Sequence, residues 1–166
     1  MKDKTTIERK KVNFNLFNPC TVAEIEVRYY PTIEKSERKK VFTSLDCFNS
    51  LMEVWDKGKL SMVESFYIIL LNRANKVIGI ECVSVGGVTG TVADAKKIFH
   101  TAITCLATGI ILAHNHPSGN TQPSQADRDL TKSLVEGGKY LDIKIVDHLI
   151  VTGESTYLSF ADEGYM

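Results

Sequence analysis

Two histidines stand one residue apart in the segment AHNHPSGNTQPSQAD, residues 113–127. The segment follows an apolar run typical of a buried strand, and residues i and i+2 of a strand face the same side. We therefore expect the imidazoles of His114 and His116 to lie together. A turn then leads into a helix whose N-cap is Ser124 and whose first turn contains Asp127. This path returns a carboxylate toward the two rings.

Two imidazoles and one carboxylate form a donor set that suits zinc. A catalytic zinc site has three protein ligands and leaves a fourth tetrahedral position open to water, whose pKa the ion lowers to about 7. In the alternative interpretation, the histidines bond to turn backbone while Ser124 and Asp127 only cap the helix. The combined spacing favours one zinc ion held by His114, His116 and Asp127. A general base must then come from elsewhere in the fold.

Strands and helices alternate along the chain, which predicts a single α/β domain with a mixed β-sheet flanked by helices. Apolar runs or alternating patterns mark the strands. They are predicted at 21–30, 64–72, 76–84, 109–116 and 141–152 and in the segment TYLSF. Only a short turn separates 64–72 from 76–84, so these two strands are predicted to form a hairpin.

Three stretches repeat apolar residues at helical spacing. The first begins with Ser44 as N-cap and is stopped by Gly58. The second begins with a capping box at 91–94, and its apolar stripe leaves His100 on the opposite, exposed face. The stripe expected to be buried consists of Val92, Ala95, Ile98, Phe99, Ala102, Ile103 and Leu106. The third helix spans 124–138 and ends at a pair of glycines.

A second polar pair, Asp147 and His148, lies within the predicted strand 141–152. Successive strand residues point to opposite faces, so the two side chains are not expected to join one site. We expect His148 to be a hydrogen-bonded structural residue. Support of a metal ligand is the alternative role.

Composition limits the class of protein. Twenty Lys and Arg residues balance twenty Asp and Glu residues, so net charge does not support DNA as a partner and indicates no attraction to an anionic membrane. The four cysteines include no Cys-x-x-Cys pair, which argues against a disulfide framework or a cysteine-ligated metal. Without a secretion signal or a run of apolar residues long enough to cross a bilayer, the sequence predicts a cytoplasmic protein.

The pattern His-x-His-Pro followed by Ser-x-x-Asp resembles the JAMM motif of the MPN (JAB) metallopeptidase family. The sequence AHNHPSGNTQPSQAD, together with the segment VDHLIV and the C-terminal segment SFADEGYM, is similar to the RadC branch of that family. The resemblance runs from Glu64 to the C-terminus and implies the MPN/JAB fold, which is cytidine-deaminase-like. It also implies that His114, His116 and Asp127 are the ligands of one zinc ion.

The resemblance also implies two catalytic residues. Glu64, in VESFYIILLN, matches the catalytic glutamate at the start of a strand that precedes a hairpin, and Ser124 matches a serine that helps to stabilise the transition state. The implied reaction is cleavage of a peptide or isopeptide bond by a zinc-activated water, with Glu64 transferring the proton. Glu81 in the partner strand is the alternative base. Ser124 has a structural alternative as a helix N-cap.

The predicted organisation has three parts. Residues 1–20 are polar and aperiodic, which predicts a disordered or extended N-terminal arm; 21–60 hold a strand and a helix of open role; 61–166 form the RadC-like MPN/JAMM domain. The expected partner of the RadC-like domain is a peptide or protein substrate.

The competing hypothesis for the function is a DNA- or protein-binding module with a non-catalytic metal site. A nucleobase deaminase is disfavoured, because the His-x-Glu and Pro-Cys-x-x-Cys signature is absent.

Overall fold

The structure, a computed structural model, describes residues 27–31, 33–86, 93–153 and 155–166. In these residues, five strands form one sheet in the order β2-β1-β3-β4-β5. The strands are β1 (Ser65–Leu71), β2 (Val77–Val85), β3 (Gly109–Asn115), β4 (Lys144–Val151) and β5 (Tyr157–Ser159), and the helices are α1 (Ser44–Met52), α2 (Ala95–Thr104) and α3 (Gln125–Leu141). β3 and β4 are parallel and the other neighbours antiparallel. The predicted α/β fold with a mixed sheet and a β1–β2 hairpin is confirmed.

Two apolar cores lie on opposite faces of this sheet. On one face, Phe48 of α1 packs in a cluster that includes Ile111. On the other face, Ile98 of α2 and Leu134 of α3 pack in a cluster that includes Leu112. The central strands β1 and β3 are therefore covered on both faces, which accounts for their almost continuous apolar sequences.

The pleat of β3 directs His114 toward α3. Ile110 and Leu112 belong to the core beneath α2 and α3, and strand alternation puts His114 on the same face. In β4, His148 pairs with Leu112 and shares this face, whereas Asp147 pairs with the preceding β3 residue and lies on the α1 face. The expected opposite orientation of Asp147 and His148 is confirmed.

The N-terminal part of the chain differs from the prediction. The predicted arm, 1–20, and the first residues of the predicted strand, 21–26, lie outside the described residues, and residues 27–31 form no strand. An alternating pattern becomes a strand only where a partner strand completes its backbone hydrogen bonds. Residues 27–31 contact β2 through a side chain instead: the Tyr29 hydroxyl donates a hydrogen bond to the backbone carbonyl of Ile78 at 2.8 Å.

The first helix begins and ends differently from the prediction. Thr43, rather than Ser44, is the N-cap of α1: its hydroxyl accepts from the backbone N–H of Asp46, whose carboxylate accepts from the backbone N–H of Thr43. This reciprocal capping box fixes the start of the helix. The helix ends at Met52, and Gly58 lies in a separate 3-10 helix, Lys57–Lys59.

The second helix begins later than predicted. Asp94 is the N-cap of α2, so the predicted start at Thr91, which lies outside the described residues, is wrong. His100 is exposed, as predicted. Ile103 and Leu106, which the helical stripe predicted to be buried, are 51% and 81% exposed. The helix ends between them, and Leu106 adopts a left-handed φ of 55° in the turn to β3, which interrupts the stripe.

The third helix continues past the glycines that were expected to end it. Gly137 and Gly138 lie inside α3, and the αL residue at its C-cap is Asp142. A Cβ on Gly138 would lie 2.3 Å from the carbonyl oxygen of Ile143, so this glycine allows the returning chain to approach the helix.

In the part of the chain that the structure describes, no helix is long and apolar enough to cross a membrane.

Candidate metal centre

The three predicted ligands converge where β3 ends beside the N-terminus of α3. His114 Nε2 lies 2.9 Å from His116 Nε2 and 3.2 Å from Asp127 Oδ1. His116 Nε2 lies 3.6 Å from Asp127 Oδ2. One donor atom from each of the three residues lies within 4.8 Å of the others, a spacing at which they can hold a metal ion. We refer to His114, His116 and Asp127 as the donor cluster.

The turn after β3 fixes the orientation of the His116 ring. Gly119 has a left-handed φ of 79°, which glycine adopts without steric cost. The turn brings the carbonyl oxygen of Asn120 to 2.6 Å from His116 Nδ1. Because a carbonyl oxygen only accepts, His116 Nδ1 carries the proton, and in the neutral ring Nε2 directs a lone pair at the donor cluster.

Asp127 divides its two oxygens between the helix cap and the donor cluster. Oδ2 accepts from the backbone N–H and from the hydroxyl of Ser124, each at 2.7 Å. The Ser124 hydroxyl oxygen accepts from the backbone N–H of Asp127 at 3.2 Å, which completes a capping box. Oδ1 faces His114. Ser124 is thus an N-cap whose single O–H also holds the carboxylate of the candidate ligand.

The convergence of these groups changes their proton affinities. Partial burial opposes ionisation of Asp127, but the nearby rings of His114 and His116 outweigh it and hold the pKa of Asp127 well below its usual range. The hydrogen bond to Asp127 raises the pKa of His116, against the effect of burial, and the Asn120 carbonyl adds to the rise. The donor cluster therefore attracts a cation, whether a proton or a metal ion.

His114 is held from behind by a second buried histidine. His114 Nδ1 lies 2.8 Å from His148 Nε2, and His148 Nδ1 lies 2.6 Å from the hydroxyl oxygen of Thr131. The rings of Phe66 and Phe160 flank His148, with centroids 5.7 and 4.7 Å away. Burial and then the nearby His114 lower the pKa of His148 well below its ordinary value, so the ring is neutral. His148 is hydrogen-bonded, as expected, and its partner is a candidate ligand.

The strand register determines where Glu64 lies. β1 and β3 pair antiparallel with Phe66 opposite His114. Continued by two residues, this register sets Glu64 opposite His116, and alternation puts both side chains on the α3 face of the sheet. The negative charge of Glu64 also contributes to the raised pKa of His116. Glu64 is therefore close enough to the donor cluster to act on it electrostatically.

Glu81, the alternative base, belongs to a different environment. It pairs with Ile68 in the middle of the hairpin, and its Oε1 lies 3.7 Å from the Nζ of Lys97 on α2. Burial and then the charge of Glu81 raise the pKa of Cys105, which follows the same helix. Of the two glutamates, Glu64 is the one that acts electrostatically on the donor cluster.

The chemistry of the donor cluster fits a metal ion. In its neutral form each of the two imidazoles offers an Nε2 lone pair, and the carboxylate offers Oδ1. These atoms face one another at 2.9 to 3.6 Å, an arrangement that is unfavourable unless a proton or a metal ion lies among them. Three protein ligands also leave a coordination position for water or substrate.

Comparison with known proteins establishes the family. A family model described as a RadC-like JAB domain matches residues 42–165. The UPF0758 protein of Flavobacterium johnsoniae is 45% identical over 126 residues, which cover 76% of this chain and 53% of that protein. The UPF0758 protein YfjY of Escherichia coli K12 is 37% identical over 140 residues, covering 77% of this chain and 87% of that protein. The chain belongs to the RadC-like JAB domain family.

The matches also describe how much of each relative this chain represents. It spans about half the length of several relatives, 53% for the Flavobacterium johnsoniae protein and 44% for a Symbiobacterium thermophilum UPF0758 protein that is 45% identical over 104 residues. The family match begins at residue 42 and so includes α1, which belongs to the segment whose role the sequence left open. The names of these relatives state no activity.

Two residues next to the candidate ligands make buried hydrogen bonds that were not predicted from the sequence. Thr131 lies four residues after Asp127 and so shares its face of α3, a spacing that signals a neighbour of the candidate ligand. Asn115 lies between the two histidines, and alternation turns its side chain to the opposite face of β3. There it hydrogen-bonds to the backbone of Val63 and of Ser65, the residues on either side of Glu64.

Proposed function

We propose that this chain is a zinc-dependent hydrolase of JAMM type that cleaves an amide bond in a peptide or isopeptide substrate. The donor cluster would hold one zinc ion, and Glu64 would act as general base. The observation that carries the proposal is the convergence of two imidazole Nε2 atoms and one carboxylate beside a strand edge that also bears a glutamate. Membership of the RadC-like JAB domain family supports it.

Zinc is the ion that this donor set favours. Two nitrogens and one oxygen with an open position match catalytic zinc sites, whereas Mg²⁺ and Ca²⁺ prefer sites built from oxygen ligands. When bound, zinc supplies Lewis acidity, which makes a water acidic near neutral pH and polarises a carbonyl group.

Proton transfer is the part that we assign to Glu64. Its carboxylate would accept a proton from the attacking water as the new C–O bond forms. The same carboxyl group would then deliver that proton to the amine nitrogen as the C–N bond breaks. Two observations support this role: Glu64 directly precedes β1, the strand that pairs with β3, and its charge contributes to the raised pKa of His116.

Ser124 has a positioning role in this proposal. Its O–H donates to Asp127 Oδ2, and its oxygen caps α3, so the side chain keeps the carboxylate in place. The transition-state role that the resemblance implies would require the same hydroxyl to turn toward the substrate oxygen. Ser124→Ala therefore affects both the helix cap and the reaction.

Hydrolysis of peptides by the zinc-loaded chain tests the proposal. The substrates are pools of internally quenched peptides and a set of isopeptide-linked peptide pairs, and the measurement is the rate of fluorescence release. We expect Glu64→Gln to reduce the rate by about 10²- to 10⁴-fold, the usual contribution of a general base. Glu81→Gln is the matched control, since the same change falls near α2, and it should retain the parent rate.

Two results would contradict the proposed activity. Equal rates for Glu64→Gln and the parent would remove Glu64 from the role of base. A zinc-loaded parent that cleaves none of the substrates but retains a protein or DNA partner would favour the binding-module hypothesis instead.

A further inference from the structure

A chain of three hydrogen bonds, two of them buried and one part-buried, leads from the backbone of α3 to the ring of His114. The hydroxyl oxygen of Thr131 lies 2.6 Å from the backbone carbonyl oxygen of Asp127 and 2.6 Å from His148 Nδ1. His148 Nε2 lies 2.8 Å from His114 Nδ1. The exposed fractions are 3% for Thr131, 0% for His148 and 1% for His114, so bulk water does not compete for these bonds.

The carbonyl oxygen at one end sets the direction of the whole chain. A hydroxyl has one hydrogen, and a carbonyl oxygen only accepts, so Thr131 donates to Asp127 and accepts from His148 Nδ1–H. The neutral ring of His148 then has its lone pair on Nε2. That lone pair accepts from His114 Nδ1–H. His114 is left with a lone pair on Nε2, the atom that faces the donor cluster.

The opposite direction is unfavourable at the Thr131 end of the chain. If Thr131 donated to His148, its lone pairs would face the Asp127 carbonyl oxygen across 2.6 Å without a hydrogen between them. His148 would then donate to His114, and the proton of His114 would move to Nε2, where it would face Asp127 Oδ1 at 3.2 Å in place of a metal ion. A protonated Nε2 cannot act as a metal ligand.

We propose that Thr131 and His148 are positioning residues that fix His114 as its Nδ1–H tautomer and thereby direct the Nε2 lone pair toward the metal. This inference rests on the proposed zinc site. A metal-ligating histidine generally donates its other ring N–H to a carboxylate, a carbonyl or water. Here a second imidazole takes that place and is itself oriented by Thr131.

The arrangement couples the ligand on α3 to the ligand on β3. Asp127 supplies a carboxylate to the donor cluster and, through its backbone carbonyl, the acceptor that orients Thr131. One turn of α3 therefore holds one ligand and sets the tautomer of another. The flanking rings of Phe66 and Phe160 restrict the rotation of His148, so the bond to His114 keeps its direction.

The variants Thr131→Val and Thr131→Ser distinguish the effect of the Thr131 hydroxyl from the effect of its side-chain packing. Valine preserves the branched shape and removes the hydroxyl, whereas serine preserves the hydroxyl and removes a methyl group. Zinc affinity is measured by competition with a chelating indicator, and thermal unfolding confirms that each variant is folded. We expect Thr131→Val to weaken zinc binding by about 10- to 100-fold, the usual effect of removing a partner of a ligand. Thr131→Ser should stay close to the parent, and equal affinity for Thr131→Val and the parent would overturn the inference.

The tautomer of His114 gives a second readout that does not require zinc. Nitrogen-15 NMR of the metal-free parent at mildly alkaline pH distinguishes a protonated Nδ1 from a protonated Nε2, and His114→Ala assigns the signal. We expect Nδ1–H for His114 in the parent and in Thr131→Ser, and a mixture of tautomers in Thr131→Val. An Nε2–H tautomer in the parent would refute the positioning role. A parent that binds no zinc but shows Nδ1–H would refute the zinc site while supporting the direction of the hydrogen-bond chain.

Discussion

Asn115→Ala should lower the stability of the protein more than other changes of its size. The Asn115 side chain is 0% exposed and makes three hydrogen bonds. Its Oδ1 accepts from the backbone N–H of Ser65 at 2.7 Å, and its Nδ2 donates to the carbonyl oxygens of Leu60 at 2.7 Å and Val63 at 2.9 Å. One side chain thus ties the end of β3 to the start of β1 and to the segment before Glu64.

The expected loss of stability in Asn115→Ala follows from the number of hydrogen bonds that the side chain makes. A net contribution of roughly 1 kcal/mol for each hydrogen bond gives about 3 kcal/mol for the three. Truncation also leaves a buried N–H and two buried carbonyl groups without Asn115, which adds to the cost. We therefore expect the free energy of unfolding to fall by about 3 kcal/mol or more.

Urea denaturation followed by circular dichroism measures this change. Asn49→Ala is the matched control, because Asn49 is exposed on α1 and its truncation should change stability by no more than about 0.5 kcal/mol. Zinc stoichiometry should stay at that of the parent, since the Asn115 side chain lies on the face of β3 opposite to His114. A loss of stability no greater than that of Asn49→Ala would refute the structural role given to Asn115.

Gly138→Ala should lower the melting temperature more than Gly137→Ala, because its Cβ would lie 2.3 Å from the Ile143 carbonyl oxygen; equal values by calorimetry would contradict this close approach. Cys47 should resist iodoacetamide at neutral pH, because burial raises the pKa of its thiol to about 12. Mass spectrometry compares folded with urea-unfolded protein, and equal labelling would count against this burial. Zinc binding should weaken as pH falls, because protons compete for His116, whose pKa is raised above its usual range by the hydrogen bond to Asp127. The fraction of neutral His116 falls as pH drops through that pKa and rises again as pH increases. A zinc affinity that does not change with pH in chelator titrations would contradict this prediction.

The spacing of the candidate ligands was sufficient to predict that they meet. Strand alternation relates His114 to His116, and a turn followed by a helix cap returns Asp127 to them; all of these are local relations. The opposite orientation of Asp147 and His148 followed from the same alternation. The partnership of His148 with His114 depends on the parallel pairing of β4 with β3, which residue spacing does not specify.

The errors arose where a distant contact decides the local structure. Two glycines usually indicate the end of a helix, but Gly138 lies inside α3 because the chain beyond the helix passes against it. The apolar stripe of α2 predicted a buried Leu106, whereas the left-handed turn before β3 exposes it. Helical periodicity predicts that a segment forms a helix, but tertiary packing determines the residue at which the helix ends.

Metal content decides whether the donor cluster is a zinc site. Elemental analysis is made on the chain purified without chelator, then supplied with zinc and freed of excess, for the parent and for His114→Ala and Asp127→Ala. His100→Ala is the control, because His100 is an exposed histidine on α2. One zinc per chain in the parent and the control, with loss of zinc in both cluster variants, is the predicted result. A parent that retains no zinc, or cluster variants that retain as much as the parent, would contradict the proposed metal centre.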